Sequence, residues 1–285
     1  MSTQRIDTTL RAITARLVES GSESPSLDAS LLLCHILDKP RSYLLTWPEK
    51  ALSEQELSQL ELFVIRREKG EPMAYILGFR EFWSLNLKVA TSTLIPRPDT
   101  ERLVELALDK AMDQEGDILD LGTGTGAIAL ALASELPKRQ VFGVDFQQSA
   151  FELASENRDR LQLHNAQFMQ GSWYEPIQPG AKFAVITSNP PYIDAADPHL
   201  DQGDVRFEPK TALVADDNGL ADIRYITEHA RQYLATGGWL LLEHGYQQGE
   251  AVREILVEFG FDSVSTEKDF GDNDRVTLGQ WNIKE

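Results

Sequence analysis

Asp117-Ile-Leu-Asp-Leu-Gly-Thr-Gly-Thr-Gly-Ala127 joins a short apolar run to a helix of small residues through three closely spaced glycines. Residues 117–121 read as a buried strand and 127–135 as the helix that follows. Glycines at such a junction let the chain turn tightly and let a ligand approach the backbone, at the mouth where open α/β sheets bind ligands. Outward from this turn the pattern repeats. A strand over 140–144 ends at Asp145 and leads to a helix around 148–160. A strand over 166–169 leads to Gly171-Ser-Trp173, and one over 182–187 leads to Ser188-Asn-Pro-Pro-Tyr192. After a long loop, a helix over 220–234, a strand over 239–243 and a helix over 247–259 follow. The last two strands, about 262–266 and 275–281, have no helix between them and predict an antiparallel addition at or near the sheet edge. Such βα units require a parallel sheet with right-handed crossovers and helices on both faces. The expectation is a seven-stranded, mostly parallel α/β sheet.

Upstream the periodicity is helical throughout. Leu10, Ile13, Leu17 and Val18 mark a helix over 3–20 that ends at Gly21. Ser24-Pro25-Ser26 opens a second, with Leu27, Leu31, Leu32 and Ile36 on its apolar side. Ser53 and Glu56 have the spacing of a capping box and open a helix to about Lys69, stopped by Gly70-Glu-Pro72. This gives a helical domain over 1–75, expected to dock a substrate or to serve as a structural cap. Residues 76–92 form a linker with a β-hairpin, carried by Phe82, Leu85, Leu87 and Val89. The larger, α/β domain then spans 93–285. It starts with Thr93-Leu-Ile-Pro-Arg-Pro-Asp-Thr-Glu101, where Pro98 fits the first turn of a helix running to about Met112.

The chain of 285 residues is 42% hydrophobic and 25% charged, ordinary for a soluble globular protein. Its single cysteine, Cys34, lies in an apolar run and reads as a small buried hydrophobe. No disulfide can form within the chain, which suits a reducing compartment. The N-terminus lacks the apolar core of a signal peptide, and no run of about 18 apolar residues predicts a membrane span. A cytoplasmic protein without membrane attachment, acting as a monomer, is expected. Net charge is −18, with −2 over residues 1–75 and −16 over 76–285. That balance opposes phosphate backbones, so direct nucleic-acid binding is not expected and a basic partner is mildly favoured.

Four features carry chemistry. The first is the turn Gly122, Thr123, Gly124, Thr125, Gly126. Gly122, Gly124 and Ala127 also satisfy the dinucleotide fingerprint, so spacing does not separate NAD from S-adenosylmethionine. The second is Asp145, placed to bind ribose hydroxyls or to cap the next helix. The third is Trp173, a candidate ligand contact or a core aromatic. The fourth is Asn189-Pro190-Pro191-Tyr192. Each proline fixes φ and removes a donor, so the loop is stiff and its carbonyls are open to other bonds. It forms a rigid shelf with one carboxamide, one free carbonyl and one aromatic ring, suited to gripping a planar group that bears an NH2. The histidines lack metal-ligand spacing, and no metal is expected.

Asp120–Gly126 together with Asn189–Tyr192 resembles the S-adenosylmethionine-dependent amino-group methyltransferases. Within that class the whole chain resembles the HemK/PrmC family, protein-(glutamine-N5) methyltransferases of class I peptide-chain release factors. The resemblance also rests on Leu27-Asp-Ala-Ser-Leu-Leu32, Glu81-Phe-Trp83, Leu94–Glu101, Phe207-Glu-Pro209, Thr211-Ala-Leu-Val-Ala215 and Glu243-His-Gly245. It implies a Rossmann-like class I S-adenosylmethionine-dependent methyltransferase fold with a small N-terminal helical domain. It further implies that Gly122–Gly126 wrap the methionine end of the cofactor, Asp145 holds its ribose and Trp173 lies beside its adenine. Asn189 would also adjoin the cofactor. The Asn189 side chain and the Pro190 carbonyl would accept the two hydrogens of the substrate glutamine's NH2, in the release factor's Gly-Gly-Gln tip. Pro191 and Tyr192 would set the plane of that amide. The acidic loop 194–218 is expected to help hold the protein substrate. Alternatives are an adenine-N6 methyltransferase acting on nucleic acid, an NAD-dependent dehydrogenase and a non-catalytic interaction module.

Overall fold

The computed structural model describes residues 4–283. It has two compact units: residues up to Phe79 with Asp201–Phe207, and Arg80–Leu200 with the chain from Glu208 onward.

The first unit is built from α1 (Ile6–Glu19), α2 (Pro25–Leu37), α3 (Arg41–Thr46), α4 (Glu54–Glu68) and α5 (Met73–Leu77). The capping box forms as its spacing predicts. Ser53 Oγ accepts from the Glu56 amide at 3.2 Å, and the Glu56 carboxylate accepts from the Ser53 amide at 2.6 Å. Ile13, Leu17, Leu32, Leu33, Leu60 and Val64 close a separate core. Beside it Arg67 donates to Asp28 at 2.7 Å, a largely buried pair that ties α4 to α2. α4 stops before Gly70, at φ +85°, and Pro72 is the N-cap of α5, where its fixed φ and missing N–H suit a helix entrance. The expected break at residue 75 falls inside that helix.

β1 (Phe79–Phe82) and β2 (Leu85–Lys88) form the hairpin that opens the second unit, Phe79 itself being the last residue before it. Its turn residues Trp83 and Ser84 have φ of +51° and +58°, a geometry that hairpins usually give to Asn-Gly. Two carboxylates hold it: Glu101 accepts from the Trp83 amide and Glu135 from its indole N–H, each at 2.9 Å. A 3-10 turn at Pro98–Thr100 leads into α6 (Glu101–Asp113). Then come β3 (Asp117–Leu121), α7 (Ala127–Glu135), β4 (Val141–Asp145), α8 (Gln148–Leu161), β5 (Ala166–Gln170) and β6 (Phe183–Ser188). After the single turn α9 (Asp216–Gly219), the chain continues through α10 (Ala221–Ala230), β7 (Leu234–Glu243), α11 (Gly249–Glu258), β8 (Asp262–Lys268) and β9 (Asp274–Trp281).

The seven strands lie in the order β5-β4-β3-β6-β7-β9-β8, and β9 is antiparallel to both neighbours. The last strand is thus inserted beside β7, leaving β8 at the edge. Side chains alternate between two cores: Leu241 packs with α6 and α7, while Leu240 and Leu242 pack with α10 and α11. β7 starts at Leu234, earlier than the periodicity suggests. Gly237, at φ +82°, lets the register jump from Leu234 opposite Phe183 to Trp239 opposite Val185. The loop after the shelf is partly ordered into 3-10 turns at Pro198–Asp201, Val205–Phe207 and Lys210–Ala212. Among the described residues no helix is long and apolar enough to cross a membrane.

Candidate active site

Strand order reverses between β3 and β6, the switch point where open α/β sheets bind ligands. These two strands run parallel, with Asp120 opposite Thr187 and Leu121 opposite Ser188. The glycine turn and the Asn-Pro-Pro-Tyr shelf therefore leave the sheet side by side. Asp120 fastens both: its buried carboxylate accepts from Thr123 Oγ at 2.6 Å and from Thr187 Oγ at 3.1 Å. Burial still pushes this carboxyl up to about 7, because those bonds only partly replace lost water.

Gly122, Gly124 and Gly126 all have positive φ. The turn closes on itself. The Gly122 and Thr123 amides donate to the Val144 carbonyl at 2.9 and 3.0 Å, Gly126 to the Thr123 carbonyl at 2.8 Å, and Gly124 to Asp145 Oδ2 at 2.8 Å. Gly126 serves packing, since a Cβ there would meet Leu130 and Phe168 at 3.0 Å. Buried Asn157 braces the turn from behind, donating to the Thr125 carbonyl at 3.0 Å and pairing with both backbone groups of Lys88 on β2. The other Asp145 oxygen accepts from the Gln147 amide at 2.9 Å, but Gln147 itself is the N-cap of α8, so Asp145 closes the turn before the helix and does not cap it.

Between turn and shelf lies a cavity of roughly 400 Å3, in the size range of small-molecule sites. Gly122, Thr123, Gly124, Thr125, Asp145, Trp173, Asn189 and Pro191 line it. Gly126, Pro190 and Tyr192 stand outside the lining. Trp173 lies over Gly122, where a Cβ would come within 3.4 Å of the indole. Asn189 donates through Nδ2 to Thr100 Oγ at 3.3 Å. The Tyr192 carbonyl accepts from Gln248 Nε2 at 3.0 Å. Burial and the neighbouring Glu243 raise the Tyr192 phenol well above its ordinary range, so it stays protonated.

The lining also includes residues to which the sequence reading gave no site role: Phe146 and Asp222, and Arg97, Thr100, Thr211 and Ala212 from stretches noted only for the resemblance. Phe146, two-thirds exposed and directly after Asp145, carried the signal of an aromatic just beyond a strand end. Arg97 is already engaged. It donates to Glu208 at 2.6 Å, and the fully buried Glu208 side chain also accepts from the Ile95 amide at 3.0 Å. The remaining formal charges of the lining are the carboxylates of Asp145 and Asp222. The cavity therefore favours a cationic ligand over a phosphorylated one. His244 is structural: buried, it bonds the Gly245 carbonyl through Nδ1 at 2.9 Å and Thr277 Oγ through Nε2 at 2.8 Å.

Residues 8–78 match the PrmC N-terminal domain, and residues 99–204 match the methyltransferase small domain. A release factor glutamine methyltransferase of Vibrio cholerae is 66% identical over 276 residues, covering 97% of this chain and 96% of its own. The chain belongs to the release factor glutamine methyltransferase family. Family members of the same description from Aliivibrio fischeri (58% identical, 97% of each chain covered) and Escherichia coli (53%, covering 92% and 94%) agree. Among solved structures, a methyltransferase from Pyrococcus furiosus superposes with a TM-score of 0.53 at 17% identity, over 79% of this chain and all of its own. The hMettl16 catalytic domain, solved with MAT2A 3'UTR hairpin 1, reaches 0.56 at 12% identity over 84% of each. These likenesses and the strand order show the class I S-adenosylmethionine-dependent methyltransferase fold, joined here to the family's N-terminal helical domain. The family's members are methyltransferases, and so is this enzyme.

Proposed function

We propose that the enzyme uses S-adenosylmethionine to methylate the side-chain nitrogen of the glutamine in the Gly-Gly-Gln tip of class I release factors. The observation that carries this reading is that Asn189 and Pro191 share one cavity with the glycine turn and Asp145. The cofactor fits the residues present. Its sulfonium and ammonium charges suit a lining whose uncompensated groups are carboxylates, whereas the pyrophosphate of a dinucleotide would need turn amides that are already bonded within the protein. That argues against a dehydrogenase.

In this assignment Gly122 and Gly124 allow close approach of the methionine portion, and Asp145 has lone pairs left for ribose hydroxyls. Phe146 joins Trp173 as aromatic surface for the purine. When bound, S-adenosylmethionine supplies an electrophilic methyl group. The protein must make a poor nucleophile face it, since amide resonance, reflected in a rotation barrier of about 18–20 kcal/mol, ties up the nitrogen lone pair. Asn189 Oδ1 and the Pro190 carbonyl act as paired acceptors that take the two N–H groups, fix the amide's orientation and push electron density toward nitrogen. Pro191 and Tyr192 keep that pair of acceptors rigid. Catalysis is then positioning and fixed dipoles, with no strong base required.

The helical domain and the loop 194–218 are assigned to holding the release factor. On this reading the enzyme works as a monomer in the cytoplasm, where translation terminates. An adenine base also offers a planar NH2, but the −16 of residues 76–285 opposes a phosphate backbone. The test is label transfer from methyl-labelled S-adenosylmethionine to a class I release factor and to its Gln-to-Ala variant. Label on the first alone is expected; equal label on the variant, or label only on added nucleic acid, overturns the reading.

A further inference from the structure

We infer that Thr100 and Glu243 are positioning residues that together fix which end of the Asn189 carboxamide faces the cavity. This rests on the proposed role of Asn189 as an acceptor for the substrate NH2. A carboxamide's two ends are nearly equal in size and opposite in hydrogen bonding. Turned one way, Asn189 offers oxygen to an incoming NH2; turned the other way, it sets donor against donor and repels the substrate. Rigid prolines after Asn189 fix its backbone but do nothing to choose between these two side-chain states.

Two neighbours make the choice. The Asn189 NH2 donates to Thr100 Oγ at 3.3 Å, and Thr100 is buried at the end of the 3-10 turn before α6. The Glu243 carboxylate, at the C-terminal end of β7, lies in hydrogen-bonding reach of both the Thr100 hydroxyl and the Asn189 side chain. A hydroxyl alone would not decide, because it can donate to a flipped Asn189 oxygen as readily as accept from its nitrogen. Burial pushes the Glu243 carboxyl up to about 7, and above that pH it is ionised and accepts only. It thus makes Thr100 spend its proton on Glu243, leaving the Thr100 oxygen to receive Asn189 Nδ2. The order runs Asn189 N–H to Thr100 oxygen, then Thr100 O–H to Glu243.

Glu243 is costly where it stands, which a purely structural role does not explain. It is 2% exposed, and its Oε2 has no hydrogen-bond partner among the described residues. The nearby cation, Arg275, directs its own bonds to Asp269 at 3.0 and 3.1 Å and to the His244 carbonyl. A buried carboxylate without a direct cation lowers stability, so its replacement by a neutral group of the same shape relieves the fold.

The experiment compares Thr100→Val, Thr100→Ser, Glu243→Gln and Asn189→Ala in the full-length enzyme. It measures kcat and KM on a class I release factor, S-adenosylmethionine affinity by calorimetry, and Tm. Gln at 243 presents a flippable amide and no longer imposes the order. Glu243→Gln and Thr100→Val are expected to lower kcat at least about tenfold, with cofactor affinity within about twofold. Thr100→Ser should restore most of the activity, and Glu243→Gln should melt no lower than the parent. Added to Asn189→Ala, Glu243→Gln should cost nothing more, as coupled residues require. Unchanged kcat in both single variants, with Asn189→Ala inactive, refutes the positioning pair while leaving the shelf's role intact. Losses of kcat that track lower Tm and weaker cofactor binding refute it as well. Full turnover by Asn189→Ala refutes the shelf reading itself, and this inference with it.

Discussion

At the residue scale, two aspartates divide the work of the site. Asp145 latches the glycine turn through the Gly124 amide and keeps lone pairs toward the cavity. Asp145→Ala should therefore weaken S-adenosylmethionine binding roughly ten- to a hundredfold, since bonds to a charged acceptor contribute about 1.5–3 kcal/mol each. Calorimetry would show this, and unchanged affinity would remove Asp145 from the binding site. Asp120 never meets the cavity but holds Thr123 and Thr187. Its folded pKa, about 7, exceeds the ordinary 3.8, so the native state keeps a proton that the unfolded chain gives up. Its contribution to stability is thus lost as pH rises from about 4 to about 7 and is level above that. Asp120→Asn lacks this dependence. Urea unfolding at about pH 5 and about pH 8 should show the gap between variant and parent moving in the variant's favour at the higher pH.

At the element scale, the site depends on how closely α7 and α8 press against the sheet. Gly126 begins α7 at φ +83°, and a methyl group there would lie 3.0 Å from Leu130 and Phe168 and 3.2 Å from Ala154. Gly126→Ala combines backbone strain with overpacking and should destabilise by about 2–4 kcal/mol. Denaturant unfolding checks it, and a loss under about 0.5 kcal/mol would mean that the turn relaxes freely. The same element shows why the fingerprint spacing was ambiguous. In sequence, Gly122-x-Gly124 reads equally well as a pyrophosphate cradle. Only the folded turn reveals that its amides point at Val144, Thr123 and Asp145. The two-glycine bulge in β7 was illegible for a related reason: it is fixed by register against β6, not by local preference.

At the scale of the whole molecule, charge sets the kind of partner. Residues 76–285 carry a net −16, and on the proposed reading that balance favours a basic protein partner over nucleic acid. Raising salt from about 50 to about 300 mM, across a Debye length that falls toward about 6 Å, should lower kcat/KM for release factor several-fold. S-adenosylmethionine affinity should move less, because on the proposed reading its contacts lie within the cavity. Steady-state kinetics at both salts tests this, and equal sensitivity of the two would place the charge effect in the cavity rather than on the docking surface.

The sequence by itself determined the alternation of strands and helices, the glycine turn at the end of the first parallel strand and the stiff shelf at the end of the fourth. These are local: periodicity, glycine freedom and proline rigidity act within a few residues. It also carried the family, through motifs spread over most of the chain. Tertiary structure alone decided that β9 lies inside β8, that Arg97 is spent on Glu208, and that Thr100 and Glu243 meet at Asn189. Glu243 stands 54 positions from Asn189 in the chain, and no periodicity connects them. Their meeting follows from β6 and β7 being neighbours in the sheet, with both strands ending at the same mouth.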